Sequence, residues 1–128
     1  MQKLTNAMVA PVRMQMRARQ GGVCALCKQP LDPKDAVLDH CHKHGAIRGA
    51  LHRSCNSLLG VIENNRPRFG LGDDTQFAAW CSGLHDYILL HRTPQTHMIH
   101  PTFLTEEEKR IKRNKAAVKR RAAAKVTK

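Results

Sequence analysis

Cys24-Ala25-Leu26-Cys27, then Asp39-His40-Cys41-His42, then His52-Arg53-Ser54-Cys55-Asn56 form the stretch of this sequence that decides its fold. Two pairs of soft ligands, Cys24-x-x-Cys27 and His52-x-x-Cys55, supply four thiolate and imidazole groups from two turns. That is the donor set and spacing of a tetrahedral structural zinc site. A C-x-x-C alone also fits a redox pair, but no βαβ pattern surrounds it, and the second pair favours metal. Residues 39–42 and Asn56 are of another kind. A carboxylate, a side-chain amide and free imidazoles suit a hard divalent cation and acid–base chemistry.

Between the ligand pairs, Ala36-Val37-Leu38 reads as a short apolar strand, and Ala46 to Leu51 as its hairpin partner across a turn at Gly45. Ser54 to about Ile62 follows as a helix with Leu58, Leu59 and Ile62 on its apolar side. The order strand, loop, strand, helix is a ββα unit with a metal clip at each end. Asp39 ends the first strand and Asn56 opens the helix, so both are expected to face one groove and hold Mg²⁺ or Mn²⁺. His40 is placed to take a proton from water attacking phosphorus, with His42 and Arg48 positioning the phosphate. Taken singly, Asp39 could cap a turn and Asn56 the helix. Glu63, two turns beyond Asn56, reads as a surface carboxylate, and His44 as a turn residue.

A chain of 128 residues bounds this to one domain with a modest core, and with 4% aromatic residues such a core gains from a metal cross-link. Twenty-two Lys and Arg against ten Asp and Glu give a formal charge of +12, which calls for a polyanionic partner. DNA is expected and a membrane is not, because the sequence has no long apolar run and no aromatic amphipathic face. Five cysteines, four ligand-type residues in paired spacing and no secretory signal point to a reducing, cytoplasmic setting.

Outward from the centre, residues 1–22 form a basic segment with Lys3, Arg13, Arg17 and Arg19 and no acid, able to lie against phosphate. Pro11 belongs in the first turn of a helix, so the helix is expected from about Ala10 to Gln20, burying Val12 and Met16 and ending at Gly21-Gly22. The core unit occupies 23–63. Residues 64–92 comprise a turn-rich loop carrying Arg66 and Arg68, then a helix opened by Asp73-Asp74. Its stripe of Phe77, Trp80, Cys81, Leu84, Tyr87 and Ile88 is expected to be core or a dimer face. A linker covers 93–104. From Thr105 the form S/T-x-x-E starts a basic helical tail, 105–128, with ten basic and three acidic side chains. Lys109, Arg110, Lys112, Arg113, Lys115, Lys119, Arg120 and Arg121 make it a DNA-binding arm.

Cys24-x-x-Cys27, Leu38-Asp39-His40-Cys41-His42, Gly45-Ala46-Ile47-Arg48-Gly49 and Cys55-Asn56-x-x-Leu59-Gly60 together resemble the phage recombination endonuclease VII family, of the HNH or ββα-metal nucleases. The resemblance covers about Gln20 to Gly60, and more loosely extends to Leu90. It implies structural zinc on Cys24, Cys27, His52 and Cys55, a catalytic divalent ion on Asp39 and Asn56, His40 as general base and His42 on the phosphate. Two departures stand out: the family usually has cysteine at the position of His52 and threonine at that of His44. Its junction-resolving member is a longer, intertwined dimer, so junction specificity and a homodimer stay open for this chain. The expected protein is thus a small α+β, zinc-clipped DNA endonuclease with flanking helices. The alternative is a non-catalytic, zinc-containing nucleic-acid-binding module, or an RNA-binding zinc protein, neither of which needs Asp39, His40 and Asn56 together.

Overall fold

The computed structural model describes residues 1–127; Lys128, the last residue of the expected tail, lies outside the described residues. Two compact units divide the chain, Met1–Gly83 and a second starting at Leu84. The first holds α1 (Asn6–Arg19), β1 (Ala36–His40), β2 (Ile47–His52), α2 (Arg53–Asn65), a 3-10 turn over Arg66–Phe69 and the start of α3 (Asp74–Leu90). The second holds the rest of α3 and α4 (Glu106–Val126). The class is α+β with a two-stranded antiparallel sheet, as the sequence led one to expect.

β1 and β2 pair in the register Ala36 with His52 through Asp39 with Gly49, and an irregularity between Asp39 and His40 shifts the pairing to Ile47. A bulge there re-aims the side chains at the strand's end. Gly45, at φ 76°, makes the hairpin turn. Its imidazole neighbour His44 accepts the Ala46 amide at 3.2 Å, the bland turn role expected of it. Gly49 is required for a different reason: a Cβ there would stand 3.0 Å from Gln20 Oε1 and 3.1 Å from the Ala25 methyl.

α1 starts four residues earlier than expected, which puts Pro11 inside the helix. The missing amide of Pro11 leaves the carbonyl of Ala7 without its helical partner. Ala7 is exposed, so water can satisfy it there. Of the predicted inner face, Met16 packs on the core and Val12 is half-buried. Arg17, expected to meet phosphate, is instead spent internally, its Nε donating to the Leu31 carbonyl at 2.6 Å. Gln20 stitches α1 to β2 and the knuckle: its Nε2 donates to the carbonyls of Ala50 at 2.8 Å and Val23 at 2.9 Å, and its Oε1 accepts the Ala50 amide at 2.8 Å.

The buried apolar residues among those described are Cys24, Leu31, Ala36, Ala50 and Leu51. So small a core, two of whose members are alanine, cannot alone hold the unit against chain entropy. α1 and α2 both pack on the two strands. The segment expected as a loop after Ile62 is largely helical: α2 runs on to Asn65, and Pro67 sits in the opening turn of the 3-10 segment, where its lack of an amide costs little. Gly70, left-handed at φ 73°, closes it.

Along α3, Trp80 and its successors in the stripe are exposed rather than core, with Tyr87 at 65% and Ile88 at 55% exposure; only Phe77 is half-buried. Periodicity reported an apolar face, and from Trp80 onward the residues of that face are exposed. α4 opens with the expected capping box, Thr105 accepting the Glu108 amide while Glu108 accepts that of Thr105. Among the described residues no helix is long and apolar enough to cross a membrane. Because Gln20 satisfies buried backbone groups, Gln20→Ala should cost about 1–3 kcal/mol, measured by urea unfolding, since the Ala50 amide loses its partner.

Candidate functional site

Two turns built in different ways bring the soft ligands together. The first is a knuckle: the Cys24 amide bonds the Gln29 carbonyl at 2.9 Å, the Lys28 amide returns to the Cys24 carbonyl at 3.0 Å, and Val23 bridges to Pro30. Lys28 takes the left-handed φ of 63° that the tight turn demands. The second is the β2–α2 junction, which has no connecting loop, so His52 is the helix N-cap and Cys55 lies in the first turn.

The ligand atoms of Cys24, Cys27, His52 and Cys55 all lie within 4.8 Å of one another. Tetrahedral zinc, with bonds of about 2.3 Å to sulfur and 2.0–2.1 Å to nitrogen, places its ligand atoms roughly 3.5–3.8 Å apart, so a small contraction closes the shell. The imidazole is already oriented for it. Its Nε2 meets the Pro30 carbonyl at 2.9 Å, and because a carbonyl only accepts, that nitrogen carries the proton. Nδ1 is left facing Cys27 Sγ at 3.3 Å and Cys55 Sγ at 3.8 Å. These four residues could hold a zinc ion.

The electrostatics agree with a thiolate cluster. Burial pushes the Cys24 thiol up, but backbone amides of Cys27, His52 and Leu26 outweigh it and bring the thiol down to about 6. The Pro30 carbonyl, then the Cys24 and Cys27 sulfurs, raise His52 to about 9. Cys55 is pushed up to about 11, first by burial and then by the neighbouring sulfurs, as expected when several thiols compete to ionise without a cation among them.

The hard-ligand residues 39–42 sit on the hairpin and Asn56 on α2. Asp39 is buried, its side chain 7% exposed, and both carboxylate oxygens accept from Arg48: Nε to Oδ2 at 2.7 Å and Nη2 to Oδ1 at 3.1 Å. The remaining arm, Nη1, donates to Glu63 Oε1 at 2.7 Å. Glu63 is therefore a half-buried partner and not the surface carboxylate expected. The bonds to Asp39 foremost, joined by those to Glu63 against the opposing effect of burial, raise the Arg48 guanidinium above its ordinary value.

Asn56 is the fourth residue of α2 and makes no cap, and Asp39 caps no turn, so neither bland role applies. Asn56 and Glu63 are seven apart and share a helix face. Leu59 between them lines a cavity of about 190 Å³ with Asp39 and Arg48, which brings that face to the Asp39 side of the hairpin. His40 and His42 lie with ring centroids 5.0 Å apart. His40 lines a cavity of about 820 Å³ with residues 1–4 and 44–47, whereas His42 lines one of about 170 Å³ with Arg48 and Glu63. Arg48 is common to the cavities of Asp39 and His42.

Other basic candidates divide in two. Arg66 pairs with Asp74 and lies over the Phe77 ring at 4.5 Å, while Arg68 reaches Asn65 at 3.3 Å. On α4, Lys109 and Arg110 pair with Glu106 and Glu107 one turn back. Lys112, Arg113, Lys115, Lys119, Arg120 and Arg121 are exposed with no ion pair among the described residues. Sequence reading missed Lys43 and Asp74 at the site, which meet at 3.3 Å. It also undervalued Glu63, though its spacing from Asn56 was a usable signal.

Fold and site together define a small α+β protein with a Cys₃His cluster that could hold a metal ion on a hairpin–helix unit. The family model for recombination endonuclease VII matches residues 2–77, more than half of the chain, and the chain belongs to that family. Membership makes it a nuclease acting on DNA. No curated protein matches the chain.

With zinc on the cluster, losing a ligand would weaken a cross-link of the fold: Cys24→Ser or Cys55→Ser is then expected to cost several kcal/mol in thermal or urea melts, given structural zinc worth about 10–16 kcal/mol in small domains. His52→Cys should bind zinc and melt near wild type. Two shifts oppose one another without a metal. Ionisation of the depressed Cys24 thiol favours the folded state above its ordinary value of 9.0 and is lost as pH falls through about 6, whereas the raised His52 favours it below 6.5 and loses that contribution as pH rises through about 9. Protons compete with a metal for the same ligand atoms, so zinc retention and melting temperature should fall together on acidification from about pH 7 to 5, read by a colorimetric zinc-release assay.

Proposed function

We propose that this chain is a metal-dependent DNA endonuclease of the HNH, ββα-metal kind, hydrolysing phosphodiester bonds, with residues 23–63 as its catalytic unit. In this reading Cys24, Cys27, His52 and Cys55 hold a structural zinc. Asp39 and Asn56 hold a catalytic Mg²⁺ or Mn²⁺. The observation that carries the reading is Asp39: a nearly buried carboxylate on the helix-facing side of a hairpin whose ends the ligand cluster ties to α2. An isolated buried carboxylate is costly, and this one is kept with a cation against it, Arg48, so the place accommodates positive charge beside Asp39.

A bound divalent ion would polarise a phosphate oxygen and offset the charge that grows on the leaving oxygen. The remaining work falls to the chain. His40, exposed at the end of β1, accepts the proton of the attacking water. His42, 5.0 Å away ring to ring, orients the phosphate from the neighbouring cavity, one wall of which is Arg48, held by Asp39 and Glu63. The zinc cluster fixes Asn56 relative to the hairpin, since Cys55 is its immediate neighbour.

The exposed cations of α4 support a further part of the proposal, that 105–128 is a DNA-binding arm. The uncovered stripe on α3 is the face that a homodimer would use. A non-catalytic nucleic-acid-binding module is the second reading. It draws on one observation, that His40 and Asp39 line different cavities.

Incubation of the purified chain with supercoiled, linear and four-way-junction DNA, with Mg²⁺, without it and after EDTA, separates the two. Mg²⁺-dependent strand cleavage is expected, and binding without any cleavage would leave the second reading. His40→Ala and Asn56→Ala should each lower the single-turnover rate about a hundredfold or more with fold and DNA affinity retained. Truncation after Leu104 should lower the slope of log affinity against log salt by roughly four to five, if about half of the tail's cations meet phosphate, and leave the saturated rate unchanged.

A further inference from the structure

The cavity of about 170 Å³ beside His42 has basic groups on several walls: His42, Lys43 and Arg48 from the hairpin, and Arg66 from the 3-10 turn. Two carboxylates complete it, Glu63 bound to Arg48 and Asp74 bound to both Lys43 and Arg66. The two acids are held very differently. Glu63 is half-buried and its Arg48 is also tied to Asp39, so that pairing belongs to the framework. Asp74 is 72% exposed and Lys43 65% exposed. The Lys43–Asp74 pair, this open to water, contributes little, so a stronger anion can replace the carboxylate.

Arg66 is built to receive one. Its side chain is only 10% exposed, and its guanidinium is stacked 4.5 Å over Phe77, so its rotamer freedom is already spent before any ligand arrives. A guanidinium with an ammonium beside it favours a phosphodiester, whose oxygens accept several charge-assisted hydrogen bonds at once. Nor does the helix need Asp74 at its start. Asp73 already caps α3, its Oδ1 accepting the Gln76 amide at 3.0 Å. The adjacent aspartates thus have separate tasks. Arg66 and Lys43 hold the Asp74 carboxylate below its ordinary value, so it is a full negative charge at neutral pH.

We propose that this cavity seats a backbone phosphate of DNA next to the one that is cleaved, with Lys43 and Arg66 as its ligands and Asp74 as the resident counter-ion that the phosphate displaces. The seat rests on the catalytic reading of residues 39–42, because His42 and Arg48 line the same cavity. Asp74 then sets how tightly DNA is held: without it, two cations face the ligand unopposed.

The test is equilibrium binding of a fluorescein-labelled duplex to the full chain in Mg²⁺-free buffer over a range of salt. Asp74→Asn is expected to tighten binding about threefold to tenfold and steepen the salt slope by about one, the increment for one more phosphate neutralised. Asp74→Ser, which keeps a residue suited to a helix start, should reproduce the gain. In a Lys43→Ala, Arg66→Gln background the gain should vanish. Unchanged affinity and slope in both Asp74 variants would overturn the proposal, as would a gain that persists in that background, since it would then reflect net charge alone. Mg²⁺-dependent cleavage of supercoiled DNA by the unaltered chain runs in parallel. Its absence would overturn the catalytic reading, while the binding series still decides whether the seat exists.

Discussion

Four ligand atoms gathered within 4.8 Å of one another are the constraint on which the rest of this structure depends. They come from a knuckle at residues 24–27 and from the junction of β2 with α2, which the apolar core could not hold together unaided. Among the described residues, five small or medium ones make up that core. A zinc ion on the cluster would supply the missing free energy, and would do more than stabilise. It would set the angle at which α2 leaves the hairpin, and with it the relation of Asn56 and Glu63 to Asp39.

Charge is distributed with the same economy. Arg48 pairs with Asp39 and Glu63, and Lys43 of the hairpin shares Asp74 with Arg66 of the 3-10 turn. The net positive charge of the chain is carried elsewhere, most densely on α4, where six Lys and Arg side chains between 112 and 121 have no acidic partner among the described residues.

Much of this was legible in the sequence, for reasons that differ by residue. The cluster was readable because soft-metal chemistry restricts residue type and spacing together, so Cys24, Cys27, His52 and Cys55 announce one another. The hairpin was readable from Gly45 between two apolar runs. Pro11 misled, because a rule about helix interiors assumes that an orphaned carbonyl is shut off from water, and Ala7 is exposed to it. The loop after Ile62 misled likewise: Pro67 and Gly70 are breakers in general but suit the two ends of a short 3-10 turn. The α3 stripe showed an apolar face without showing whether anything covers it. Glu63 and Asp74 were illegible in kind. Their roles are contacts with Arg48 fifteen residues away and Lys43 thirty-one residues away, set by how the hairpin meets α2 and the start of α3.

The most direct measurement is zinc K-edge X-ray absorption of the purified chain. A shell of three sulfurs at about 2.3 Å and one nitrogen at about 2.0–2.1 Å, at one zinc per chain, is the result this account predicts. A light-atom shell lacking sulfur, or a folded chain without zinc, would contradict it.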